Sequence, residues 1–112
     1  MTWDEFQILH LEVAREVGAE FGLHVQLTEI PHDAAFDFKP MMMPRWGLFR
    51  RRPRLREIAV AFYKPDNQTQ PYFIIGNYVN PNELDKLNAS AYRSSLAAEL
   101  SIRLEERGRR SR

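Results

Sequence analysis

The spacing of apolar residues changes along this chain from a helical period to a strand period and back, and this change limits the folds open to it. At the start of the chain, apolar positions recur every three or four residues, as on the buried face of a helix. This predicted core stripe consists of Phe6, Leu9, Val13, Val17 and Phe21.

The ends of this first helix carry sequence signals. Thr2 and Glu5 have the spacing of a capping box, in which each side chain bonds the other residue's backbone N–H. Gly22 is placed to end the helix in a left-handed conformation. Ile8 and Leu11 lie off the core stripe. They indicate either a wide buried face or a contact with another subunit, and burial within the monomer is the interpretation we favour.

Three strands are predicted in the middle of the chain. Residues 23–30 alternate apolar and polar side chains, which is typical of a half-buried strand, and Pro31 ends the pattern. Residues 57–64 and 72–79 are richer in apolar residues on both faces and predict strands that are either central in the sheet or covered on two sides. Residues 65–71 begin with Pro-Asp-Asn, so we expect an antiparallel hairpin between these two strands.

A helical pattern returns after the third strand. Asn80 is the expected cap, Pro81 the first helical position and Glu83 the completion of a capping box. We expect a break at residues 88–90 and a stop at Gly108. The longer part carries an apolar stripe and three alanines that favour close packing: Tyr92, Leu96, Leu100 and Leu104, with Ala91, Ala97 and Ala98.

These elements predict an α+β fold with the order α-β-β-β-α, in which helices pack on a three-stranded, mainly antiparallel sheet. A chain of 112 residues suits a single domain, which we place at residues 1–108. Residues 109–112 are expected to form a disordered basic tail. Residues 31–54 form an insertion between the first two strands, and so long a connection in a small domain is often functional.

The insertion holds more aromatic and methionine side chains than a solvated loop needs. Such residues are typical of adaptable binding surfaces, although a loop packed by its own side chains is an equal alternative. The candidate apolar anchors are Phe36, Phe38, Met41, Met42, Met43, Trp46 and Phe49.

Charge is divided unevenly along the chain. Residues 1–38 hold eight acids and one base, whereas residues 39–64 hold eight bases and one acid. Five arginines crowd beside the aromatic residues of the insertion and can hold phosphates, carboxylates of a partner or acids of this chain. These candidate binding residues are Arg50, Arg51, Arg52, Arg54 and Arg56.

The predicted element order resembles that of the double-stranded-RNA-binding domain, which is also α-β-β-β-α. The resemblance covers topology alone. That family has a short first connection and a lysine-rich start to its second helix, whereas this chain has a long first connection and the acidic run Pro-Asn-Glu-Leu-Asp at residues 81–85. No residue roles are carried over from the family.

Sequence motifs of enzymes and cofactor sites are absent. The chain has no cysteine, its five glycines are scattered, and its serines lie in helical patterns rather than in a nucleophile elbow. The spacing of His24, His32, Asp33 and Asp37 matches no known ligand set, and His10 is expected to be solvated. We therefore predict no catalytic residue, no cofactor, no metal and no small-molecule substrate.

The sequence thus favours a small non-enzymatic interaction protein, such as an assembly subunit, adaptor or inhibitor. It would bind a protein partner or itself through the insertion and the arginines that end at Arg56. The alternative is an RNA- or DNA-binding module that holds the nucleic-acid backbone with the same arginines.

No apolar run approaches the ~20 residues of a membrane span, and no signal peptide is visible, so we expect no membrane partner and a cytoplasmic location.

Overall fold

The structure, a computed structural model, describes residues 1–29 and 55–110. Its elements are helix α1 (Trp3–Glu20), strands β1 (His24–Thr28), β2 (Arg56–Tyr63) and β3 (Phe73–Val79), a 3₁₀ helix (Pro81–Lys86) and helix α2 (Ala89–Arg110). The predicted α+β class and the order α-β-β-β-α are confirmed. The predicted insertion, residues 31–54, lies outside the described residues.

The three strands form one antiparallel sheet in the order β1-β2-β3. Val25 of β1 lies opposite Phe62 of β2, and Phe62 in turn lies opposite Phe73 of β3. The predicted hairpin between β2 and β3 is confirmed, and a bridge between Lys64 and Asn67 closes it. β2 is the central strand of the described sheet, and β3 is an edge strand.

The start of α1 forms as its capping box predicts. The Glu5 backbone N–H donates to the Thr2 hydroxyl at 3.1 Å, and the Thr2 backbone N–H donates to the Glu5 carboxylate at 2.9 Å. The second bond stabilises the charged carboxylate and lowers the pKa of Glu5.

The end of α1 turns sharply at Gly22, whose φ of 71° is the left-handed value predicted for it. The Leu23 N–H donates to the Gly18 carbonyl at 2.8 Å, and the Gly22 N–H donates to the Ala19 carbonyl at 3.1 Å. This pair of bonds satisfies the last carbonyls of the helix. Phe21 is 37% exposed, so its predicted place in the core is wrong, because it is the residue at which the chain leaves the helix.

Gly18 brings α1 into close contact with the sheet. A Cβ atom at this position would lie 2.5 Å from Val25 Cγ2 and 3.5 Å from Phe62 Cδ1. Val25 belongs to β1 and Phe62 to β2, so the helix axis runs above the boundary between these two strands. Because Gly18 has no side chain, the helix approaches the sheet more closely than any other residue here would permit.

The helical region after β3 is divided into two helices, with the break near the predicted residues 88–90. The 3₁₀ helix is capped by Asn80, whose side chain accepts from the Asn82 N–H at 3.0 Å, and α2 is capped by Asn88, which accepts from the Ala91 N–H at 3.0 Å. The predicted stripe of Tyr92, Leu96, Leu100 and Leu104 is buried.

Three details of α2 differ from the prediction. The helix continues to Arg110, so Gly108 does not end it and the first residues of the expected tail are helical. Ala91 and Ala98 are exposed, because they lie on the side of α2 away from the core. Of the three alanines, Ala97 is the one that packs against the core.

The core lies between the sheet and the two helices. Its largest buried side chains include Phe6, Phe62, Ile75, Leu96 and Leu100, one or more from each of the layers. None of the described helices is long and apolar enough to cross a membrane.

Two residues of α1 lie where the sequence did not place them. His10 was expected to be solvated and is fully buried. Ile8 was expected to be buried and is 60% exposed. The reason is the direction of the second helix, which packs beside α1 over His10 and leaves the Ile8 side of the helix open.

We predict opposite effects of alanine at two glycines. Gly18→Ala should lower the free energy of unfolding by about 2 kcal/mol, because its methyl group would overlap Val25. Gly108→Ala meets no atom within 4 Å and removes a helical glycine, so it should be neutral or raise stability by a few tenths of a kcal/mol. Urea unfolding of both variants measures the difference. Equal midpoints would contradict the close approach at Gly18.

Candidate functional site: a basic groove at the ends of the helices

Of the twelve partner-binding residues predicted from the sequence, Arg56 lies within the described part of the chain. Its guanidinium carbon lies 4.4 Å from the centre of the Trp3 ring, a cation–π contact between the start of β2 and the start of α1. Arg56 therefore has a partner within its own chain. The other eleven residues, Phe36 to Arg54, lie outside the described residues.

The acids of α1 have a partner on α2. Arg93 Nη2 donates to Glu12 at 2.6 Å, and Arg93 Nη1 lies 3.8 Å from Glu16. These exposed contacts tie the two helices at the surface, where ion pairs contribute about 1 kcal/mol or less. Arg93 thus neutralises part of the acidic surface that the sequence places in residues 1–38.

A groove of about 480 Å³ opens where α1, α2 and the β2–β3 hairpin meet. Its walls come from the end of α1, from the two ends of the hairpin and from the last turns of α2. The residues that line it are Phe21, Leu23, Lys64, Tyr72, Leu104, Glu105, Gly108 and Arg109. Half of this lining is apolar and much of the rest is charged.

Local backbone features hold the walls of the groove in place. The left-handed turn at Gly22 directs Leu23 into it. On the hairpin, Asn67 Oδ1 accepts from the backbone N–H and the hydroxyl of Thr69, at 3.3 and 2.9 Å. The Tyr72 N–H donates to the Phe62 carbonyl at 2.7 Å. Lys64 and Tyr72 therefore sit on an ordered hairpin rather than on a free loop.

The Tyr72 ring carries two cations. Lys64 Nζ lies 4.7 Å and Arg107 Cζ lies 5.2 Å from the ring centre, and Arg107 also lies 5.9 Å from the Phe73 ring. All three distances fall within the range of cation–π attraction. The Tyr72 ring thus has two positively charged side chains in contact with it at one edge of the groove.

The net charge of this edge is positive. Of the residues that line the groove, Lys64 and Arg109 are basic and Glu105 is acidic, and the Glu105 carboxylate lies 3.6 Å from Arg109 Nη2. In the described part of the chain, Lys64 has no carboxylate within ion-pair distance. The groove combines apolar surface with cations that face solvent, and this arrangement suits an anionic ligand that carries an apolar group.

A buried polar pair lies in the core, away from the groove. His10 Nδ1 and the Tyr92 hydroxyl oxygen are 2.7 Å apart, and both side chains are within 5% of complete burial. Burial lowers the pKa of His10 to about 4 and raises the pKa of Tyr92. Both groups are therefore neutral at pH 7, and they join α1 to α2 by a hydrogen bond inside the core.

Two buried side-chain atoms have no hydrogen-bond partner among the described residues: His10 Nε2 and Arg103 Nη1. Arg103 is 7% exposed, and its Nε donates to Glu99 at 3.0 Å. Within residues 1–29 and 55–110, no group of three or more acids and histidines is placed to hold a metal ion.

A scan against protein-family models, a search of curated proteins and a search of solved structures each gave no significant match to this chain.

The sequence indicates the basic segment at residues 39–64 but not this groove. Lys64, Tyr72 and Arg109 are separated by many residues along the chain, and each appears ordinary in its own segment. One part of the groove is indicated by the sequence. Lys64 and Tyr72 flank the predicted turn at residues 65–71, so they are expected to lie near each other. The contribution of the α2 end depends on the packing angle of that helix.

We predict that acid destabilises the protein through His10. Its folded pKa of about 4 lies below the ordinary value of about 6.5, so stability is complete above pH 6.5 and falls as the pH drops toward 4. The slope should approach 1.4 kcal/mol per pH unit, the value for one proton, at about pH 5.

Urea unfolding between pH 7.5 and 4.5 measures this slope in the wild type, His10→Gln and the control His24→Gln, which alters an exposed histidine. His24→Gln should retain the loss of stability, and His10→Gln should lack it. If all three proteins have the same pH profile, His10 is not the group that titrates. Should His10→Gln fail to fold, Tyr92→Phe keeps the histidine buried and should retain the slope.

Proposed function

We propose that this chain is a non-enzymatic protein-interaction module, an adaptor, assembly subunit or inhibitor, that binds an acidic segment of a partner protein in the basic groove. The observation that supports this most directly is the groove itself, in which Lys64 and Arg109 border apolar surface from Phe21 and Leu23.

The charge of the groove favours a carboxylate-bearing partner. Lys64 is exposed and has no carboxylate partner among the described residues, and Arg109 is exposed beside Glu105. Charges of this kind at the edge of an interface attract and orient a partner of opposite sign. An acidic segment that approaches here meets the positive edge before it reaches the apolar walls.

The apolar walls provide the anchoring surface. Phe21 is 37% exposed, and Leu23 and Tyr72 are half-buried, so contact with a partner would remove apolar area from water. Buried aromatic contacts near the centre of an interface carry much of its binding energy. A volume of about 480 Å³ is enough for one or two side chains of a bound peptide.

The same cations attract phosphate, so a nucleic-acid backbone is the competing ligand. One observation favours a peptide. The Tyr72 ring already contacts two side-chain cations, which occupy the surface on which a base would stack.

We expect an acidic peptide with a central Leu-Phe pair to bind the groove, and a lysine-rich peptide with the same pair to bind far more weakly. Lys64→Glu should weaken binding about tenfold, equivalent to about 1.4 kcal/mol, because it reverses the charge at the edge of the groove. Fluorescence anisotropy with a labelled peptide measures the affinity.

The control is Lys86→Glu, which makes the same charge change on an exposed lysine in the 3₁₀ helix, at the opposite end of α2. It should leave the affinity unchanged. Equal losses in both variants would mean that the peptide responds to net charge and not to the groove. Tight binding of a single-stranded RNA of the same charge, with a steep salt dependence, would favour the nucleic-acid alternative.

The insertion remains a second, sequence-based candidate for partner contact. If residues 36–56 form a binding surface with aromatic anchors, Trp46→Ala should weaken partner binding strongly. Replacing Arg50, Arg51 and Arg52 by Ser should weaken it less, mainly through a slower association rate. Surface plasmon resonance on a partner captured from native lysate separates the two rates. The reverse ranking would indicate phosphate contacts, and unchanged binding in both variants would exclude the insertion.

A further inference from the structure

β1 is an edge strand of the described sheet, and the backbone groups of its outer edge pair with no described strand. β2 lies on one side of β1, and no strand among the described residues lies on the other. The sequence of β1 is His-Val-Gln-Leu-Thr, with no lysine, acid or proline. Charged residues and prolines are the usual means by which natural proteins block the addition of a further strand to an edge.

The hydrogen-bond pattern of the sheet identifies the residues of β1 whose backbone N–H and C=O groups point outward. The Phe62 carbonyl accepts from Tyr72, so the polar backbone groups of Phe62 point toward β3. The backbone N–H and C=O groups of successive residues point alternately to the two sides of a strand. The groups of Ala61 therefore point toward β1, where Gln26 lies opposite Ala61. The N–H and C=O groups of Val25 and Leu27 therefore point outward.

A second contact supports this assignment. Arg15 Nε donates to the Val25 carbonyl at 3.5 Å, which shows that this oxygen is accessible from outside the sheet. The distance is long for such a bond, since N–H···O distances center near 2.9 Å. A strand that supplied a better donor would displace the arginine at little cost.

We infer that the outer edge of β1 pairs antiparallel with β1 of a second copy of this chain, about a two-fold axis that passes beside Gln26. The pattern of β1 is self-complementary, because reversal of the strand about Gln26 places Val25 opposite Leu27 of the second copy. The outward groups of these two residues then exchange four hydrogen bonds across the axis. The product is a six-stranded antiparallel sheet.

The position of α1 allows this pairing. The helix runs above the β1–β2 boundary, as the contacts of Gly18 with Val25 and Phe62 show. With strands about 4.8 Å apart, the axes of the two symmetry-related helices would lie about 10 Å apart. This is the ordinary distance between packed helices, so the two copies of α1 would touch without overlap.

Apolar side chains lie near Arg15 on the surface beside the edge. Leu27 is 37% exposed, on the face of the sheet that carries the helices. Ile8 is 60% exposed and lies two helical turns before Arg15, on the stripe of α1 that reaches the edge of β1. Leu11 lies between them and is half-buried. A second copy would cover these side chains, which the monomer leaves in water.

The absence of cysteine from the chain makes the pairing directly testable. In the proposed register Gln26 faces Gln26 of the second copy as a pair without mutual hydrogen bonds, with Cα atoms about 4.5 Å apart, a distance that a disulfide spans. In a glutathione redox buffer, Gln26→Cys should form a disulfide-linked dimer at least tenfold faster than His24→Cys. Both positions are exposed and lie on the same face of β1.

A mixture of variants tests the register further. His24 faces Thr28 of the second copy, so His24→Cys mixed with Thr28→Cys should give the mixed dimer in preference to either homodimer. Equal rates for Gln26→Cys and His24→Cys, or a preference for like-with-like dimers in the mixture, would overturn the proposed pairing.

Association without any cross-link provides an independent test. Sedimentation of the wild type at increasing concentration should show a monomer–dimer equilibrium, and Leu27→Lys should shift it toward monomer by at least tenfold, because a lysine on the edge opposes strand addition. If Leu27→Lys unfolds, Ile8→Lys alters an exposed side chain and should shift the equilibrium in the same direction. A wild type that stays monomeric up to ~1 mM would overturn the proposal.

Discussion

The close approach of α1 to the sheet at Gly18 determines where the other parts of the molecule lie. Because this residue has no side chain, the helix rests on Val25 and Phe62, above the boundary of β1 and β2. The space that remains over β2 and β3 is filled by α2, whose buried stripe completes the core. The groove opens where the two helices end. No described strand pairs with the outer edge of β1, where Arg15 of α1 donates to the Val25 carbonyl.

The polar contacts between the helices differ in kind. The pair of His10 and Tyr92 is buried, so it strengthens in its apolar surroundings but requires both groups to stay neutral. The contacts of Arg93 with Glu12 and Glu16 are exposed and contribute little to stability. The buried pair links α1 to α2 in the core. It also makes the protein less stable in acid, because His10 must stay neutral while it is buried.

The two proposed interfaces use different physical properties of the same small domain. The groove combines side-chain cations with apolar walls, and it suits an acidic segment with an anchoring side chain. The β1 edge offers backbone hydrogen bonds and a self-complementary pattern, which suit an identical strand. Each can fail its test without affecting the other, because Lys64 follows β2 whereas Gln26 lies in β1, and their substitutions alter different contacts.

The sequence by itself determined the helices and strands, their order and most of their ends, because those depend on neighbours along the chain. The cap at Thr2, the left-handed Gly22, the hairpin and the break before Ala89 are all local events with local signals. Tertiary structure decided the burial of His10, the exposure of Ile8 and the meeting of Lys64, Tyr72 and Arg109 in one groove. A helical period indicates that one face is buried, but the width of that face depends on which elements pack against it and at what angle. That angle arises from contacts between residues far apart in the chain, such as Gly18 with Phe62, and no local pattern encodes it.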